Sequence, residues 1–141
     1  MTINGFKNRT FSVGDKVRVY RNLNNGKWSI QAATGEYKGK VVGHLDHLTL
    51  NNVKFNVSKA GRARILKEKR KNVCAYAIGD LHSIEAPEKF CDQHIEVTFN
   101  PYKTDFFCFT HDVTSQVDEL EELSFIDGKA FIPLFTTGLA L

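Results

Sequence analysis

Residues 54–71, KFNVSKAGRARILKEKRK, hold eight Lys or Arg side chains against a single acid, Glu68. Cations at that density suit the neutralisation of nucleic-acid phosphates, and arginine adds a planar fork that grips a phosphate through two bonds. Arg62, Arg64, Lys67, Lys69, Arg70 and Lys71 are the candidates for that contact, with Lys16, Arg18, Arg21 and Lys27 close by in sequence. Tyr20, Trp28 and Tyr37 lie in the same half and offer ring faces on which unpaired bases can stack. Against this, Trp28 alternates with Ile30 as core residues do, and charge runs more often form solvated faces.

A second charged cluster has the opposite sign. Asp118, Glu119, Glu121 and Glu122 place four acids within five residues with no cation between them. A catalytic carboxylate pair needs surroundings that push two pKa values apart, so this cluster is expected to be an acidic partner patch. The basic run could dock on it, within the chain or in a second copy, which would make a homo-oligomer through opposite patches.

Metal and nucleophile chemistry find less support. His44, Asp46 and His47 stand together, but on a strand His44 and Asp46 point to one side and His47 to the other. Cys91 with His94, and Cys74 with His82, match no zinc-site spacing. There is no G-x-S-x-G elbow, no G-x-G-x-x-G loop and no P-loop. The expectation is no enzyme, no catalytic residue, no metal and no cofactor.

The charge is divided along the chain. Residues 1–71 carry sixteen Lys or Arg and four Asp or Glu, whereas residues 72–141 carry three and twelve. The net charge of +3 therefore conceals a basic half and an acidic half. A length of 141 residues and 42% hydrophobic content predict one domain with its own core, with a sub-boundary near residues 80–93. The longest uncharged run, AFIPLFTTGLAL, is too short to span a bilayer, and MTINGFKNRTF lacks the apolar core of a secretory signal, so no membrane and a cytoplasmic location are expected. Three widely spaced cysteines suggest reduced thiols.

The elements that would hold these groups are mostly strands. Residues 1–10 show no period and predict a loosely held arm. Val13, Val17 and Val19 alternate with Lys16, Arg18 and Tyr20, giving a strand after a Gly14-Asp15 turn, and Asn24-Asn25-Gly26 returns the chain into residues 27–33. Residues 38–45 form a third strand, and Asn51-Asn52 predicts a turn between residues 47–50 and 53–57. Ser58 caps a helix over residues 59–70 whose apolar stripe is Ala60, Ala63 and Leu66, leaving the basic residues outward. Residues 73–78 form a buried strand closed by Gly79-Asp80, and residues 81–93 a connecting loop. Residues 94–99 and 105–110 pair as a hairpin, residues 111–116 are polar, and residues 117–125 are a helix or a strand. Asp127-Gly128 turns the last hairpin. The fold expected is mainly β: a small antiparallel barrel-like, SH3-like sheet with one basic helix and a C-terminal half rich in β-hairpins.

Several strings carry a resemblance: Arg21-Asn22-Leu23 with Trp28-Ser29, Gly39-Lys40-Val41, Gly61-Arg62-Ala63-Arg64, residues 69–73 (KRKNV) and residues 97–102 (VTFNPY). In these the chain resembles a group of small, uncharacterised proteins of bacteria, their phages and mobile elements. The resemblance implies no activity, only a mobile-element setting in which small proteins bind nucleic acid or block a host defence complex. The function expected is therefore a phage or mobile-element protein that binds DNA or RNA through its basic helix without catalysis. The alternative is an anti-defence inhibitor, such as an anti-CRISPR, that binds a host nucleic-acid-handling complex.

Overall fold

The computed structural model describes residues 2–23, 26–69, 72–85 and 95–132. Twelve strands and one α-helix are found among them, so the fold is mainly β. Strands β1 (Thr2–Asn4) and β2 (Thr10–Ser12) pair with each other around a 3-10 turn at Phe6–Asn8. The remaining ten form one antiparallel sheet, in the order β10 (Asp112–Gln116), β9 (Cys108–Phe109), β8 (Ile95–Thr98), β12 (Lys129–Ile132), β11 (Glu119–Ile126), β6 (His47–Val57), β7 (Ala75–Ser83), β3 (Lys16–Arg21), β4 (Trp28–Ala32), β5 (Val41–Leu45). Helix α1 (Lys59–Glu68) joins β6 to β7.

The mainly β class is as expected, and the sheet, expected to be barrel-like, is not closed. Only Asp46 separates β5 from β6, yet the two strands do not pair, and β5 lies four places from β6 in the strand order. β6 gives one edge to β7 and the other to β11, so it has none left for β5. The stretch β6-β7-β3-β4-β5 therefore has its two ends joined covalently at Asp46 while the ladder continues outward through β11. One buried cluster fills the curve, drawing on Val17, Val19, Ile30, Val42, Leu50 and Leu81 from one part and Val97, Leu123 and Phe125 from the other. Each such side chain contributes roughly 1.5–3 kcal/mol by leaving water.

Several local expectations change. Asn51-Asn52 makes no hairpin: β6 runs through it as a single strand of 11 residues, with a bulge at Asn52, whose φ is 53°. Asparagine tolerates that conformation whether the chain turns or only kinks. Gly79 accommodates the kink, since a Cβ there would lie 2.7 Å from the Asn51 carbonyl oxygen. β7 consequently passes through Gly79-Asp80 and ends at Ser83, inside the stretch expected to be a loop. The rest of that stretch, from residue 86 to 93, lies outside the described residues.

The N-terminal arm is held in place. Phe11 is buried, Arg9 Nη1 donates to the Val41 carbonyl at 2.8 Å, and Phe6 meets the His44 ring edge-on at 5.1 Å. Gly5 permits the crossing, because any Cβ there would collide with the Val42 carbonyl oxygen.

Other expectations hold in outline. The β3–β4 hairpin is closed by Asn22 N donating to Lys27 O at 2.8 Å, with Asn24 and Asn25 themselves outside the described residues. Asp127 (φ 47°) and Gly128 (φ 85°) make the tight turn between β11 and β12, and residues 133–135 of that expected hairpin lie outside the described residues. Residues 117–125 resolve to strand, with β11 beginning at Glu119, while the expected strand over 105–110 shrinks to β9 and the polar residues 112–116 form β10.

Candidate nucleic-acid interface

Helix α1 begins where the sequence suggests. Ser58 Oγ accepts from Gly61 N at 3.0 Å, and Lys69 ends the helix in the left-handed conformation, its N–H donating to Ile65 O at 2.8 Å. Its orientation is the reverse of the expected one. Ala60, Ala63 and Leu66 are exposed, and Ile65, at 2% exposure, is the buried residue, flanked by half-buried Gly61 and Arg62. An isoleucine removes more apolar area from water than two alanines, and Gly61 lets the helix approach until its absent Cβ would sit 3.0 Å from Cys74 Cβ.

That rotation divides the cations. Arg62 turns inward, its Nε donating to the carbonyls of Pro101 and Thr104, both at 2.9 Å, so it pins the segment after β8 and does not project as a phosphate ligand would. Lys59, Arg64, Lys67 and Lys69 are exposed. At about 100° per residue, Lys59, Arg64 and Lys67 fall in one sector of roughly 140°, opposite Ile65. Arg64 makes a loose i,i+4 ion pair with Glu68 at 3.9 Å, with the arginine side chain 73% exposed. Such a pair is worth a few tenths of a kcal/mol and competes weakly with a phosphate. Arg70 and Lys71 lie outside the described residues.

The cations of β3 also divide by strand parity. Arg21 shares the core-facing parity of Val17 and Val19, so its guanidinium bends over the Trp28 ring, 5.7 Å from the centroid, and donates to Gly128 O at 2.7 Å. Arg18 lies over Tyr76 at 5.5 Å. Lys16 is exposed.

Two of the three proposed stacking residues, Tyr20 and Trp28, have different principal neighbours, though both contribute to the lining of one cavity. Tyr20 is registered with Ser29, and Ser29 with His44, giving a row across β3, β4 and β5. The row contributes to an open groove whose sides include Phe6, Leu23, Asn72 and Val73. Asn72 and Val73 bring the groove to within a few residues of the end of α1. Trp28 instead packs edge-on against Phe125, with ring centroids 4.7 Å apart, beside a cavity of about 180 Å³. That cavity also contains Phe55, Tyr76, Phe99 and Phe107, none of which was singled out from the sequence. The available signal was the count of eleven Phe, too many for one small core to absorb without a remainder.

The acidic cluster lies at the start of β11, an interior strand of the sheet. β11 pairs with β6 and puts Glu119 opposite Lys54, while Asp118, Glu119 and Glu121 are exposed. His44 accepts or donates a hydrogen bond with Ser29 Oγ at 3.1 Å, and the described residues contain no group of three or more His, Cys, Asp or Glu arranged to hold a metal. Cys91 and His94 lie outside the described residues. Cys74 and Cys108 are buried free thiols, both pushed up by burial; the Arg62 charge partly opposes this at Cys74. No helix among the described residues is long and apolar enough to cross a membrane.

Comparison with known proteins adds a relationship. A family model described as Mycobacterium phage L5 gene 82 protein matches residues 10–132. The Gene 82 protein of Mycobacterium phage L5 is 37% identical over 98 residues, covering 65% of this chain and 75% of that protein. No solved structure matches.

Proposed function

The chain belongs to the Mycobacterium phage L5 gene 82 protein family, and on that premise we propose that it is a phage-encoded protein that binds single-stranded nucleic acid without catalysis. The observation that carries the reading is the set of exposed cations on α1 and its cap: Lys59, Arg64 and Lys67 on the outward face and Lys69 at the C-terminal cap, with Glu68 the single acid of the helix. A strand laid along that face meets phosphate ligands first and then the groove beside Asn72 and Val73, where the half-buried Tyr20 offers a ring. The role of Arg62 in this reading is indirect, holding α1 against residues 101 and 104.

Binding rather than turnover suits the polar groups present. Among the described residues, Ser29 and His44 form a hydroxyl–imidazole pair in the groove, but Ser29 is only 1% exposed. Phosphate contact is tested by titrating a labelled single-stranded oligonucleotide at low and raised salt, where affinity should fall steeply as salt rises.

A second reading, an anti-defence inhibitor that docks on a host nucleic-acid-handling complex, draws on the apolar rim of the same groove. Phe6, Leu23 and Val73 are 39%, 49% and 40% exposed there. Contacts of that kind resist salt, so salt-insensitive capture of a host complex, lost on Leu23→Asp, distinguishes it.

A further inference from the structure

The cavity beside Trp28 has features that a leftover space in a core does not. Its volume, about 180 Å³, is room for roughly six waters, or one small ring. Phe55 and Phe107 lie 4.5 Å apart at 32°, and Phe107 and Phe99 lie 5.1 Å apart at 29°, so three rings form one nearly continuous stack in its lining. Trp28 is another lining residue, and its Nε1–H is buried with no hydrogen-bond partner among the described residues. Buried indole N–H groups are normally satisfied, because an unpaired donor keeps the full cost of leaving water. The charged members of the lining are the exposed cations Arg21 and Lys129 and the half-buried acid Glu96.

We infer that this cavity is a binding site for one pyrimidine ring whose phosphate stays outside, between Arg21 and Lys129. An aromatic lining, met through ring edges and the outer faces of that stack, favours a planar heteroaromatic guest over an aliphatic one, and a ring carbonyl supplies the acceptor that Trp28 Nε1–H lacks. The size admits the base but not its sugar, which leaves the phosphate where the two cations are. The base can come from a free nucleotide or from a strand held on α1; the second source rests on the proposed function, the first does not. Arg21 already bonds to Gly128 O and covers Trp28, which makes it a fixed part of the rim, while Lys129 is the adjustable one.

The chain's only tryptophan is Trp28, so its fluorescence reports on this cavity alone. The test titrates uridine monophosphate and, separately, a short labelled oligothymidylate at low salt. It follows tryptophan emission for both probes and anisotropy for the strand. Saturable change in emission by uridine monophosphate, weakened about tenfold by the surface variant Lys129→Glu and unaltered by Lys67→Ala with Lys69→Ala, supports the site. Strand binding by anisotropy with no response of Trp28 to either probe overturns the cavity site and leaves the reading of α1 standing. Response to uridine monophosphate without strand binding supports the site for free nucleotides and overturns the reading of α1. No response to either probe, with no strand binding, overturns both.

Discussion

Arg62 Nε donates to the Thr104 carbonyl at 2.9 Å, and to that of Pro101 at the same distance, across about forty residues of sequence. The cation at the centre of the basic run therefore serves the fold, and the exposed cations among the described residues of α1 and its cap are Lys59, Arg64, Lys67 and Lys69. The Arg62→Ala variant leaves both carbonyls without this donor and is expected to lose about 1–3 kcal/mol of stability. Chemical denaturation measures that loss. Oligonucleotide affinity, taken where the variant remains folded, should stay near that of the parent.

The N-terminal hairpin depends on Gly5 in the same direct way. A side chain there strikes the Val42 carbonyl oxygen, and Phe11 Cε1 lies 2.9 Å from where the Cβ would be. Gly5→Val should detach β1 and the 3-10 turn from β5, breaking the contact of Phe6 with His44. Hydrogen exchange of residues 2–12 should rise sharply, with the amides of β6 and β7 little changed.

Asp112 makes the outermost strand sensitive to acid. Its carboxylate accepts from Thr114 Oγ1 at 2.6 Å, Ser115 Oγ at 2.7 Å and Thr114 N at 3.1 Å. These bonds, the Thr114 hydroxyl first, lower its pKa from 3.8 to about 2. A depressed carboxylate stabilises the folded state fully above its unfolded value and progressively less as pH falls through the folded one. The start of β10 should thus loosen as pH falls from about 4 to about 2. Asp112→Asn should remove that step. Amide signals of residues 112–116, followed by NMR against pH, report it.

The sequence conveyed the strands of the first half well, because Val17 and Val19 against Lys16 and Arg18 leave little choice of face. Ser58 announced the start of α1, and Asp127-Gly128 the last turn, each through chemistry local to a few residues. Failure came where a distant partner decided. Ile65 won the inward face of α1 because Cys74 and residues 101–104 stand there, and a view along the helix alone favours Ala60, Ala63 and Leu66. Asn52 bulges where it was expected to turn because β11 and β7 occupy both edges of β6. The cavity beside Trp28 was invisible for the same reason, since Phe55, Phe99, Phe107 and Phe125 meet only when the sheet curls.

The salt dependence of strand binding tests the exposed face of α1 most directly. Anisotropy with a labelled single-stranded oligonucleotide gives the slope of log affinity against log salt. Four phosphate contacts predict about −3 for the parent chain. Replacing Lys59, Arg64, Lys67 and Lys69 together by alanine should bring the slope close to zero with the fold intact, since all four side chains are exposed. An unchanged slope in that variant, or no binding by the parent even at low salt, would contradict the claim that this face meets phosphate.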